Sequence, residues 1–171
     1  CHAAVIFESQ QAALTAYRKA GIEVAKVQVS SAIQAAFGSM SRQQRVEACE
    51  QLRAFAEDRY LHQTFVQAPG KAPQFFEDLP IALEQLGSAA SLESHWRIHL
   101  HLPIYLERFG LLETTRDEIQ ACYLAARSQG VAHFEIETYA LSVLPSELLV
   151  PDLSEGIAHE LQWFSDTIVG Q

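Results

Sequence analysis

Three strand-like segments alternate strictly between apolar and polar side chains, and this pattern most restricts the possible fold. They are "KVQV" at 26–29, "RIHLHL" at 97–102 and "HFEIE" at 133–137. Side chains along a strand point alternately to opposite faces, so each strand has one apolar and one polar face. Strands of an open parallel sheet are covered on both faces and read as continuous apolar runs. The alternation favours a barrel, whose outer face packs on helices and whose inner face carries polar groups.

Helix-like segments separate the strand-like ones along the whole chain. Their apolar spacing, N-terminal Ser or Thr and C-terminal Gly are typical of helix starts and stops. We expect helices within 8–21, 41–60, 76–87, 114–130 and 154–169. We expect strands within 22–30, 95–103 and 132–140, the end of another at "HAAVIF", and a short strand or irregular insert at 61–67. Alternating strands and helices predict a parallel sheet with helical crossovers.

These features predict an α/β fold, namely the C-terminal half of a (β/α)₈ TIM barrel with about four parallel strands and flanking helices. Residues 1–171 would form a single domain that lacks the N-terminal half of the barrel. The opening "CHAAVIFES" has no Met and enters a strand-like run at once, which fits this interpretation. A half-barrel would expose strand edges, so we expect order only with the N-terminal half or a partner copy in a homo-oligomer.

Charge and cysteine content exclude several classes of function. The net charge of −9 argues against a nucleic-acid-binding surface, which requires clustered Lys and Arg. The three cysteines are scattered and form no CxxC motif, which indicates free thiols in a reducing, cytoplasmic setting. No apolar run reaches the roughly 18–20 residues of a membrane span.

The polar strand faces supply the candidate functional residues. In a barrel they would converge at the C-terminal rim, where active sites lie. The converging residues would be Lys26, Gln28, Arg97, His99, His101, Glu135 and Glu137.

The order of four motifs resembles the xylose-isomerase-like TIM-barrel superfamily, which includes sugar phosphate isomerases and epimerases and endonuclease IV-like enzymes. The motifs are "CH" at the start, "KVQVSSA", "RIHLHLPIYL" and "HFEIETY". Within that superfamily the chain is most similar to the EboE-type metabolite-traffic barrels. Cys1–His2 resembles the end of an Asp-x-Cys-His motif, His99-x-His101 a later ligand pair, and Glu137–Thr138 a terminal Glu-Thr motif. The chain departs from many relatives at His99, where they have Asp, and at Gln28, where they have His.

The resemblance implies a divalent metal, Zn²⁺ or Mn²⁺, bound by His and carboxylate ligands. It assigns His2, His99, His101 and Glu137 as metal ligands. Glu137, Glu135 and Lys26 are the candidate catalytic acid/base residues, and Glu135 with Lys26 or Arg97 fits a buried structural ion pair equally well. Gln28, Arg97 and His62 are the candidate substrate-binding residues.

The implied function is a metal-dependent sugar or sugar-phosphate isomerase or epimerase acting on a small polyol-type metabolite. Three alternatives stay open. A metal-dependent hydrolase would also use a His-x-His pair, although usually on its first strand. An endonuclease IV-like phosphodiesterase is disfavoured by the negative charge. A non-catalytic barrel that binds or traffics a metabolite fits the subgroup resemblance, and a fold alone does not decide among these functions.

Overall fold

The computed structural model describes residues 1–86, 93–137, 144–150 and 152–170. Its helices are α1 (His2–Val5), α2 (Gln10–Lys19), α3 (Arg42–Arg53), α4 (Leu79–Leu86), α5 (Asp117–Ser128) and α6 (Leu153–Trp163). Its strands are β1 (Lys26–Val29), β2 (Ser31–Ala36), β3 (Thr64–Gln67), β4 (Gln74–Phe76), β5 (His95–Leu102), β6 (Arg108–Phe109), β7 (Leu112–Thr114) and β8 (His133–Ile136).

The strands form two sheets, and neither belongs to a TIM barrel. The larger sheet has six strands in the order β4-β3-β5-β2-β7-β6, and its neighbouring strands run antiparallel. Among the strands of the described residues, only β1 and β8, paired in the smaller sheet, run parallel. The prediction of a half-barrel with about four parallel strands is therefore wrong.

Strand β2 explains why the barrel prediction fails. Its sequence "SAIQAA" follows β1 after the single residue Ser30, in a segment for which no element was predicted. Parallel neighbours need a crossover connection of a dozen or more residues, whereas an antiparallel partner does not. Strand β2 pairs antiparallel with β5, with Ile33 opposite Ile98, and so occupies a place that a parallel strand would take in a barrel.

Strand β5 lies in the middle of the larger sheet, and its predicted alternation is confirmed. Trp96, Ile98, Leu100 and Leu102 are buried on one face. That face belongs to one hydrophobic core with Ala48, Cys49 and Leu52 of α3 and with Leu79, Ala82 and Leu83 of α4. The predicted helix at 41–60 is present as α3, and Ser41 and Gln44 form a reciprocal capping box at its N-terminus.

The polar face of β5 is covered by α1 rather than facing the inside of a barrel. The segment "HAAVIF" was predicted to end a strand, and the structure shows a helical turn whose Ala4 and Val5 are buried. Alanine has the highest helix propensity, which favours this turn over a strand. Phe7 has φ of 58°, a left-handed conformation that stops the helix.

Most predicted helices are present with altered ends. Helix α2 begins after Ser9, whose side chain accepts a hydrogen bond from the Ala12 amide, and the chain turns at Gly21 with φ of 73°. Helix α5 lacks the predicted threonine cap, because the residue before it is Arg116 and Thr115 instead accepts a hydrogen bond from the Ala32 amide. Helix α6 continues as a π-helical segment, Phe164–Val169.

Membrane-spanning segments were sought among the described helices. None of them combines the length and the apolar composition that a bilayer crossing requires.

Candidate metal centre

Strand β5 directs two histidines to the same side, as its alternation predicts. The Nε2 atoms of His99 and His101 lie 3.1 Å apart, and their ring centroids lie 5.1 Å apart. His101 is only 1% exposed, whereas His99 is half-buried. Two side chains two residues apart on one strand are thus held as a pair by the strand itself.

Helix α1 brings two further donor groups to this pair. The ring of His2 lies edge-on to both histidines, with centroid distances of 4.5 Å to His99 and 5.7 Å to His101. Cys1 directly precedes His2, and its backbone nitrogen donates a hydrogen bond to Ser30 Oγ at 3.0 Å. Arg97 on β5 also donates to the Ala4 carbonyl at 2.6 Å, so both ends of α1 are tied to the sheets.

The four side chains form one cluster of ligand atoms. One nitrogen each from His2, His99 and His101 and the sulfur of Cys1 all lie within 4.8 Å of one another. Two nitrogens bound tetrahedrally to Zn²⁺ at about 2.0–2.1 Å stand about 3.3 Å apart. The 3.1 Å between His99 and His101 is close to that separation. The donor types thus suit zinc, and one pair already has the spacing of a tetrahedral site, while the whole set spans up to 4.8 Å.

Burial keeps the two strand histidines neutral. Burial, followed by the charge of neighbouring His2, lowers the pKa of His99 to about 4. Burial, followed by the charge of His99, lowers the pKa of His101 to about 3, against a hydrogen bond with the Glu137 backbone that raises it. Neutral imidazole is the form that binds a metal, so both residues have a ligand's protonation state at neutral pH.

Glu137 lies beside the cluster. Its Oε2 is 3.7 Å from His101 Nδ1, whereas the partner histidine His99 faces Nε2 of the same ring. The Glu137 amide donates to the Val29 carbonyl, which fixes this residue at the end of the smaller sheet. A carbonyl or carboxylate behind a ligating imidazole orients the ring, and Glu137 takes this position with its backbone, which hydrogen-bonds His101, while its carboxylate lies 3.7 Å away. Thr138, its neighbour in the predicted motif, lies outside the described residues.

The predicted catalytic pair Lys26 and Glu135 forms a surface ion pair. Lys26 Nζ lies 2.7 Å from Glu135 Oε2, and about half of each side chain is exposed, at 51% and 53%. Adjacent parallel strands place the two residues together, since Gln28 is opposite Glu135 and Lys26 is opposite His133. The two residues thus form the ion pair that the sequence allowed as an alternative, but on the surface and not buried as expected.

The three predicted substrate-binding residues lie in different surroundings. Gln28 lines a cavity of about 280 Å³ whose wall also includes Cys1 and His2. Arg97 makes an ion pair of 2.6 Å with Glu118, which lines the same cavity. His62 is 1% exposed and lies between Glu57 and Asp78, at 3.6 Å and 3.7 Å, where burial lowers its pKa. The structure therefore places Gln28 in the cavity wall, Arg97 behind it and His62 in a separate buried cluster.

Two contributors to the site were missed by sequence reasoning. Cys1 was identified only as part of a motif, although a cysteine directly before a histidine is itself a signal for a soft metal site. Glu118 lies on α5, whose acidic first turn was interpreted only as favourable to the helix. The residues around Glu118 in the sequence do not indicate that it lines a cavity.

No protein-family model, curated protein or solved structure matches this chain. What the protein does is therefore inferred from the geometry of the cluster and its cavity.

Proposed function

We propose that this protein binds Zn²⁺ through Cys1, His2, His99 and His101 and acts as a metal-dependent isomerase or epimerase on a small metabolite. The observation that carries the proposal is the convergence of the four donor atoms within 4.8 Å. Cys1 and His2 lie at the start of α1, whereas His99 and His101 lie on β5, far along the sequence. The Arg97 contact with Ala4 holds the two elements together. The free cysteines are consistent with a cytoplasmic location.

The donor set selects zinc over manganese. Thiolate and imidazole are the ligands that zinc prefers, whereas manganese favours carboxylate, carbonyl and water oxygens. The cluster contains one sulfur and three ring nitrogens, and the Glu137 carboxylate lies beside it, 3.7 Å from His101. The sequence left both metals open, and the thiolate of Cys1 supports zinc.

The cavity provides a substrate site beside Cys1 and His2. A zinc ion that took a carbonyl or hydroxyl oxygen as a fifth ligand would polarise that group as a Lewis acid. Because Cys1 and His2 form part of the cavity wall, a molecule in the cavity lies directly against the cluster. Glu8 and Glu118 line the same cavity, so carboxylates are available there to hold and move a proton. In this proposal Glu8 and Glu118 replace Glu135 and Lys26 as the acid/base residues.

A second function is favoured by the number of ligands. Structural zinc sites have four protein ligands, whereas catalytic sites have three and one open position. Four donors therefore support a non-catalytic role, in which the protein binds or traffics a metabolite beside a permanently closed zinc site. Both functions require the bound zinc ion, but only the isomerase converts a substrate.

Metal content tests the zinc site. We expect the purified chain to retain one zinc ion after dialysis, measured by elemental mass spectrometry, and His99→Ala to bind zinc at least about a hundredfold more weakly. His133→Ala is the matched control, because His133 is exposed on β8. Equal zinc affinity in the wild type and His99→Ala would refute the site.

Proton exchange separates the two functions. The zinc-loaded protein is incubated in D₂O with ribose and ribulose, and NMR follows deuterium entry at the carbon beside the carbonyl. An isomerase gives exchange that His99→Ala abolishes and His133→Ala retains. Tight zinc binding without exchange for these sugars would favour the binding function over catalysis on this substrate class.

A further inference from the structure

The cavity beside the cluster has a defined composition. Its volume of about 280 Å³ is just below the roughly 300–1,000 Å³ of sites for drug-sized ligands. Two cluster residues, Cys1 and His2, form part of its wall. The space therefore suits one small molecule that touches the cluster.

The charges around the cavity disfavour an anion. Among the described residues of its wall, the formally charged side chains are the carboxylates Glu8 and Glu118, apart from His2. Arg97 neutralises Glu118 through their ion pair and also donates to the Ala4 carbonyl, so the charge of Glu8 remains and the described wall offers no Arg or Lys to an anion. Phosphate and carboxylate ligands are recognised by Arg, Lys or free backbone amides, and like charges repel. A phosphate ester would meet carboxylates here.

The remainder of the wall is largely apolar. Aromatic and aliphatic side chains from α2, β1, α5 and β8 contribute to it, namely Leu14, Tyr17, Val27, Val29, Ile119, Tyr123 and Phe134. Uncharged polar side chains are fewer, and three of them already make hydrogen bonds: Ser30 accepts from Cys1, Thr115 accepts from the Ala32 amide, and Gln10 donates to Glu118, whereas Gln28 is the fourth. Burying the apolar part of a ligand against these side chains is favourable, whereas the hydroxyls of a fully polar sugar would find few partners.

We infer that the cavity takes an uncharged small molecule with an apolar body, whose hydroxyl or carbonyl oxygen faces Cys1 and His2. The inference rests on the proposed function for the role of the metal, and it replaces the sugars and sugar phosphates expected from the sequence with uncharged, partly apolar alcohols, aldehydes or ketones. The apolar walls and carboxylates do not depend on zinc, so the ligand class is testable separately from the metal.

Three probes test the ligand class. Benzyl alcohol has an apolar ring and one hydroxyl, benzyl phosphate adds the charge, and ribitol is uncharged and polar throughout. Their dissociation constants are measured by ligand-observed NMR on protein of known zinc content. We expect saturable millimolar binding of benzyl alcohol, and at least about tenfold weaker binding of the other two. Absence of saturation by benzyl alcohol, or equal or tighter binding of benzyl phosphate or ribitol, would overturn the inference.

A pair of substitutions locates the binding. Ala13 on α2 lines the cavity, whereas Ala12, its neighbour on the same helix, is exposed and outside the wall. We expect Ala13→Phe to weaken benzyl alcohol binding at least about tenfold while zinc content is unchanged, and Ala12→Phe to affect neither. Equal binding in both variants would place the ligand elsewhere and refute the inference. Loss of zinc from wild-type protein that still binds benzyl alcohol in the cavity would instead refute the metal site alone.

Discussion

His101 is the most deeply buried member of the cluster, and its surroundings determine how the centre holds a proton or a metal. Its ring faces His99 on one side and Glu137 on the other. With the pKa of His101 lowered to about 3 and that of His99 to about 4, two adjacent positive charges are avoided. A divalent cation can bind both ring nitrogens, because neither ring carries a positive charge that would repel it.

The buried carboxyl group of Glu160 should make the free energy of unfolding depend on pH, independently of the metal centre. Its side chain is 1% exposed, and Oε1 accepts a hydrogen bond from the Ile104 amide. Burial raises the pKa of Glu160 from 4.5 to about 7, against that hydrogen bond. The folded state therefore holds a proton that the unfolded state releases, and stability falls as pH rises from about 4.5 through about 7.

The glutamine variant measures this effect. Glu160→Gln keeps an acceptor for Ile104 and has no charge to bury. We expect Glu160→Gln to be more stable than the wild type by about 2–3 kcal/mol at about pH 8, and close to it at about pH 4, in chemical denaturation. A stability difference that does not change with pH would contradict the raised pKa.

At the scale of elements, Arg97 connects β5, α1 and α5. It donates to Ala4 and makes an ion pair with Glu118, and its side chain is only 13% exposed. We expect Arg97→Met to lower the free energy of unfolding by about 2 kcal/mol, because a partly buried carboxylate loses its partner. We also expect zinc affinity to fall about tenfold, because α1 carries two ligands and loses an anchor.

An exposed ion pair provides the control for Arg97. Arg108 and Glu113 are 2.5 Å apart with side chains 64% and 36% exposed. Arg108→Met should cost less than about 1 kcal/mol and leave zinc affinity unchanged. Similar losses in both variants, measured by denaturation and zinc titration, would show that Arg97 has no special role in docking α1.

The capping box at the N-terminus of α3 should stabilise the helix that packs against the larger core. Ser41 Oγ accepts from the Gln44 amide, and Gln44 Oε1 accepts from the Ser41 amide. We expect Ser41→Ala to lower stability by about 1 kcal/mol and Ser41→Asp to retain most of it, since both Ser and Asp cap helices well. Thermal or chemical denaturation of the pair checks this. Equal stability of Ser41→Ala and the wild type would show that the cap is not stabilising.

Local patterns explain which elements were predictable. The alternation of β5 and the Ser41 start of α3 depend on neighbouring residues, and both are present in the structure. Helix α1 was missed because four residues give too little periodicity to distinguish a helical turn from a strand. Strand β2 was missed because its small residues Ala32, Ala35 and Ala36 have weak strand propensity, and pairing with β5 decides its conformation.

At the scale of the whole molecule, strand direction was the quantity that the sequence did not determine. The same alternation occurs in a barrel strand and in an antiparallel strand with a polar face under a helix. In this fold α1 covers that face, and His2 reaches His99 across it. The resemblance in motif order led us to expect His2 near His99 and His101, whereas the position of Cys1 in the cluster and the cavity depend on how α1 packs.

Zinc should stabilise the whole fold if the centre joins α1 to the larger sheet. A ligand that binds only the folded state adds about 2.7 kcal/mol at a hundred times its dissociation constant. We expect a chelator to lower the melting temperature of the wild type and to leave that of His99→Ala unchanged, in differential scanning calorimetry. An identical response of both proteins would mean that zinc does not bind at this cluster.

X-ray absorption spectroscopy of the zinc-loaded chain tests the four-residue centre most directly. The account predicts one Zn–S distance of about 2.3 Å and three Zn–N distances of about 2.0–2.1 Å. In Cys1→Ser the sulfur contribution should disappear, and in Cys122→Ser, where the cysteine lines the cavity outside the cluster, it should persist. A zinc shell of oxygen and nitrogen alone in the wild type, or one unchanged in Cys1→Ser, would contradict it.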